Sequence, residues 1–189
     1  MHHDAVLENG RVIVETPAGE LPDHVARLDE ALDAAAGLIV NVEIKNAPDE
    51  PDFDPDDRTA VAVAAVLARR PEPVGRWLVS SFRLQTVDRF RALAPDVATA
   101  LLTERLDDDV VALVRRHGHA AVHPWFGAVK ATSIEAAHRA GLRVNTWTCN
   151  DPARAVELAG WGIDGIVTDV PNVIRAALAA ADPPAATPA

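Results

Sequence analysis

The amino-acid sequence predicts an α/β fold, a parallel sheet assembled from repeated β-α units, and three observations lead there. From residue 38 onward, short β-branched runs alternate with Ala- and Leu-rich amphipathic stretches. Several of the short runs are apolar almost throughout, as strands covered on both faces are. Several of the helical stretches open on an aspartate, with Asp57, Asp107 and Asp151 placed as N-caps or first-turn acids.

Six such units can be traced. The predicted strands are Leu38–Ile44, Trp77–Phe82, Val97–Thr103, Ala120–His123, Leu142–Thr148 and Ile163–Thr168. The predicted helices are Asp57–Arg70, Leu84–Leu93, Asp107–His117, Ser133–Ala140, Pro152–Ala159 and Asn172–Ala181. A different region precedes them. Asn9-Gly10, between Ala5–Leu7 and Val12–Val14, predicts a hairpin, and a helix is expected over Val25–Ala36. Residues 1–181 are expected to form one domain, with 1–37 an insertion of hairpin and helix and 38–181 the β-α units. The Pro- and Ala-rich segment 182–189 is expected to be disordered. Eight strands and roughly 250 residues make a closed (β/α)8 barrel of the TIM type, so six units imply a barrel incomplete at its N-terminal side.

The 189 residues, 49% hydrophobic, suffice for a sizeable core. A net charge of −10 argues against nucleic acid and anionic membrane as partners, because both are held chiefly by Lys and Arg. The longest apolar run, Ala60 to Ala68, is far short of the ~20 residues a membrane helix needs. Cys149 is the single cysteine, which fits a reducing, cytoplasmic setting.

Side chains alternate along a strand, so Asn41, Glu43 and Lys45 share one face of the first strand while Val42 and Ile44 face the helices. A carboxylate and an ammonium on the inward face are costly unless they bind something or pair with each other, and the C-terminal strand ends are where such barrels hold their sites. The acidic loop Asp49–Asp56 follows directly and is expected to rim that site. His123 ends a strand before Pro124-Trp125, which puts it on the same functional face. His117, His119 and His138 lie in or beside helices and are expected in solvent. Ser80 and Ser81 are expected to close hydrogen bonds at their strand end, since no His-Asp partner follows at useful spacing.

Val42-Glu43-Ile44-Lys45, Ser80-Ser81-Phe82, Asn145-Thr146-Trp147-Thr148 and Gly162-Ile163-Asp164-Gly165-Ile166-Val167-Thr168-Asp169 occur in the order found in glycerophosphodiester phosphodiesterases, and the chain resembles that family. His3-Asp4 is similar to the family's His-Asp pair. The resemblance implies a metal-dependent hydrolase of lipid metabolism that cleaves a glycerophosphodiester to glycerol 3-phosphate and an alcohol. It implies that Glu43 is a ligand to a divalent cation, Mg²⁺ or Ca²⁺, and that Lys45 meets the substrate phosphate. It further implies that His3 protonates the departing alkoxide and that Trp147 packs on the substrate, with His123 a second candidate contact. The family's opening His-Arg-Gly and Glu-x-Asp have no counterpart in this sequence, and Glu104 and Asp169, which also end strand runs, are not ligands in the family. A non-catalytic barrel remnant serving as a binding module therefore stays open, as does a different phosphate-handling barrel. Unpaired strand edges would also permit a homodimer.

Overall fold

The computed structural model describes residues 3–181, so the expected tail at 182–189 lies outside the described residues. The chain divides into two compact units, the first running through Thr99 and the second beginning at Ala100.

In the first unit, β1 (Val40–Glu43) pairs in parallel with β2 (Trp77–Ser81), and three helices pack with them: α1 (Leu28–Ala34), α2 (Arg58–Ala68) and α3 (Leu84–Leu93). The alternation expected for β1 is present, with Val42 and Ile44 buried and Asn41, Glu43 and Lys45 exposed. Val42, Ile44, Val63, Leu67, Trp77, Val79 and Phe90 form the core. The first strand starts two residues later than the β-branched run suggests. Val40 is registered on Trp77, and Val74–Arg76 just before it is a 3-10 turn that offers no ladder to Leu38 and Ile39. Those two side chains remain exposed at 63% and 73%.

The N-terminal hairpin is smaller than expected. Val6 and Val12 make one antiparallel bridge, and Ile13–Glu15 is a 3-10 turn rather than a strand. The turn residues are Glu8 and Asn9, closed by the Gly10 N–H donating to the Leu7 carbonyl at 2.8 Å. Gly10 follows at φ +82°, a left-handed position that glycine adopts without strain. The helix expected over Val25–Ala36 shortens to α1, whose entry is fixed by Glu30 accepting from the Arg27 N–H at 2.7 Å.

In the second unit, β3 (Ala98–Thr103, entering from the first), β4 (Ala121–Pro124), β5 (Arg143–Thr146) and β6 (Gly165–Ile166) pair in parallel in chain order. Between and after them run α4 (Asp108–His117), α5 (Ala131–Arg139), α6 (Pro152–Gly160) and α7 (Pro171–Ala181). Two of the three expected caps act as such: Asp107 accepts from the Val110 N–H, and Asp151 from those of Ala153 and Arg154. Arg154 donates to the carbonyls of Phe126 and Val129 and covers Trp161, so it pins the segment that follows β4. Contrary to expectation, His119 is buried. It follows the left-handed Gly118, where the chain turns back so that the His119 N–H reaches the Val114 carbonyl at 3.2 Å.

Candidate active site

At the end of β1, Glu43 and Lys45 line a cavity of 590 Å³ together with His3, Asp4, Glu50 and Asp52. The Lys45 ammonium does not turn to Glu43. Its Nζ donates to the His3 carbonyl at 2.8 Å and lies 3.1 Å from His3 Nε2, while His3 Nδ1 is 2.6 Å from the Asp4 carboxylate. The Asp4 carboxylate accepts from Nδ1 and so orients the ring with Nε2 toward the ammonium. The surrounding protein desolvates the Glu43 carboxylate and raises its pKa, an effect that Lys45 and then His3 oppose. Glu43 nevertheless keeps one side in solvent.

The loop beyond Lys45 is fixed by a buried network that sequence reading did not single out. Asn46 donates to the Asp57 carboxylate at 2.8 Å and to the Asp54 carbonyl at 2.9 Å, and its own carbonyl accepts from the Asp54 N–H. The hydroxyl of Thr86 and the guanidinium of Arg83 also reach the Asp57 carboxylate. Asp57, expected to cap α2, stands at its start with φ +52° and is committed to this network. Asp54 caps instead, accepting from the Thr59 N–H at 2.9 Å. Its burial favours the neutral acid, but that N–H and the Arg58 side chain outweigh burial and lower its pKa.

In the second unit, His123 and Trp147 are in contact: the Trp147 Nε1–H donates to the His123 carbonyl at 2.7 Å. The His123 ring is 2% exposed, meets the Asn145 amide through Nε2 at 2.9 Å, and has its Nδ1 buried with no partner among the described residues. Burial drives its pKa down to about 4, so the ring is neutral at physiological pH. Asn145 in turn lies over Gly165, where a Cβ would sit 2.5 Å from the amide oxygen. The second glycine of the Gly-Ile-Asp-Gly run is thus required by a close approach. Trp125 and Trp147 meet in a parallel bridge, with Trp125 44% exposed. Ser80 and Ser81 close hydrogen bonds as expected, with Asn41 and the Ile44 carbonyl respectively.

The sequence profile of the glycerophosphoryl diester phosphodiesterase family matches residues 5–173. The chain belongs to this family. Among curated relatives, YhdW of Bacillus subtilis, whose name assigns it to the glycerophosphodiester phosphodiesterases, is 32% identical over 101 residues, which is 51% of this chain and 41% of YhdW. A crystal structure from Silicibacter pomeroyi, named for the same activity, is 32% identical with a TM-score of 0.69 over 80% of this chain and 55% of that one. A phosphodiesterase of Oleispira antarctica, solved with the product sn-glycerol-3-phosphate, is 23% identical with a TM-score of 0.59 over 65% of this chain and 49% of that one. The chain therefore spans roughly half the length of these family members. Its fold is the family's (β/α) barrel with six of the eight units present.

A divalent cation needs six or more oxygen ligands in a compact shell, some of them water. Among the described residues, His3, Asp4, Glu43, Glu50 and Asp52 do not gather into any group of three with ligand atoms within 4.8 Å of one another. As arranged, the residues lining this cavity do not make a cation site. Glu43 is the one carboxylate that a strand delivers to it.

Proposed function

We propose that the chain carries the phosphate-binding and proton-donating part of a phosphodiester hydrolase that releases glycerol 3-phosphate and an alcohol. The observation that supports this reading is the meeting of Lys45 with His3 beside Glu43 in one cavity. A phosphodiester carries one negative charge, and an ammonium whose present partners are the His3 carbonyl and ring gains by exchanging them for an anionic oxygen. That exchange frees His3 Nε2. In its protonated form, oriented through Nδ1 by Asp4, His3 then donates to the departing alkoxide as the phosphorus–oxygen bond to it breaks, while water's oxygen bonds to phosphorus and releases a proton to solvent. His123 and Trp147 are proposed as substrate contacts, His123 as a neutral hydrogen-bonding ring.

Glu43 would give one carboxylate to a divalent cation, either Mg²⁺ or Ca²⁺, and the cavity's other residues do not complete its shell, so no step above runs through it. That shortfall favours a second reading, in which the chain binds phosphoesters without turning them over. The lone Cys149 supports a cytoplasmic setting.

Calorimetric titration with glycerol 3-phosphate tests the reading. We expect millimolar or tighter binding and a loss of about tenfold or more in Lys45→Met, the worth of one charge-assisted contact. Binding that Lys45→Met leaves unchanged would sink it. Turnover of glycerophosphocholine with Mg²⁺, abolished by Glu43→Ala, would reject the non-catalytic reading. Ca²⁺ titration is expected to give only weak binding.

A further inference from the structure

Lys45 and Glu50 also line a second cavity, of 460 Å³, walled by Asn46, Ala47, Pro48, Phe82, Arg83, Leu84 and Gln85. Resting on the phosphoester reading above, we propose that this cavity holds the carbon chain of the departing alcohol and selects apolar-bodied alcohols over polyhydroxylated ones.

The case rests on which groups there are already committed. Asn46 spends its amide on Asp54, Asp57 and Thr86, and its carbonyl on the Asp54 N–H. Arg83 is bound to both oxygens of Asp57 and lies against the Phe53 ring. The Asn46 amide and the Nη1 of Arg83 are therefore already taken before a ligand's hydroxyls arrive. What remains is the apolar surface of Ala47, Pro48, Leu84 and Phe82, the last 47% exposed, with Glu50 and Gln85 the polar side chains besides Lys45. A polyol laid on the four apolar side chains would turn hydroxyls toward surface that offers them no partner, whereas an alkyl chain there would remove apolar surface from water. Lys45 is common to both cavities. A phosphate on its ammonium keeps the departing oxygen within reach of His3 while the attached carbons enter the second cavity.

The test is calorimetry on the full chain, with EDTA present to suppress turnover, using glycerol 3-phosphate and its methyl, propyl and glyceryl esters. Affinity should rise about two- to fourfold per methylene from methyl to propyl, as burial of a CH₂ gives. The propyl ester should bind more tightly than the glyceryl ester of equal carbon count. Phe82→Ala should flatten this series and Phe82→Leu should keep it, both leaving glycerol 3-phosphate affinity unchanged. Because Phe82 is half in solvent, its truncation leaves the core in place. If glycerol 3-phosphate binds but the propyl ester gains nothing, or if Phe82→Ala preserves the series, the alcohol site is wrong and the phosphoester reading survives. If no compound binds, both fall.

Discussion

His123 carries its consequence in acid. Its imidazole is buried, and burial alone lowers its pKa to about 4 from an unfolded value near 6.5. The sign follows from proton uptake. Below pH 6.5 the unfolded chain takes a proton that the folded one refuses, so this group's contribution is intact above 6.5 and is lost as pH falls toward 4. A shift of this size corresponds to about 3 kcal/mol, and urea midpoints of the wild type should drop across that window while those of His123→Gln lose most of the drop. Its neighbour makes a second prediction. Gly165→Ala would push the new methyl against the Asn145 amide, so the variant should lose about 1–3 kcal/mol and release the His123 ring, seen as a changed imidazole NMR signal.

Among elements, the helices were the most legible. The α3 bounds follow directly from its apolar spacing, and α4 and α6 begin where Asp107 and Asp151 accept first-turn N–H groups. Glu43 and Lys45 were legible for the same local reason, strand alternation. Contacts between distant residues were not. Asp57 reads as a cap, yet its carboxylate is bound to Asn46, Arg83 and Thr86, residues from 11 to 29 positions away. This network joins the loop after β1 to the start of α3. Removing the carboxylate leaves three donors underbonded around a residue at positive φ. We expect Asp57→Ala to cost about 2–4 kcal/mol in urea unfolding, and Asp57→Asn, which keeps an acceptor and tolerates that φ, clearly less. The expected N-terminal strand that does not form has a similar origin, since the β-branched run Val12–Val14 cannot reveal that only Val12 finds a bridge partner.

At the scale of the whole molecule, β1 and β6 stand at the two ends of the strand order, and no described strand pairs with the outer side of either. Exposed Leu38 and Ile39 precede β1, giving an apolar approach to backbone groups that seek partners. Sedimentation velocity should therefore show species heavier than the 20.1 kDa chain at micromolar concentration, reduced in Ile39→Lys. A monodisperse monomer would count against edge pairing.

The placement of the aromatic residues gives each unit its own optical signature. The chain has four tryptophans and no tyrosine, and Trp77, buried beside Arg76, is the sole one in the first unit. Trp125, Trp147 and Trp161 all belong to the second. Emission from Trp77→Phe would report the second unit alone, and its difference from wild type would report the first. Coincident denaturation midpoints for the two signals would mean that the units melt as one cooperative body, and separated midpoints would assign each its own stability.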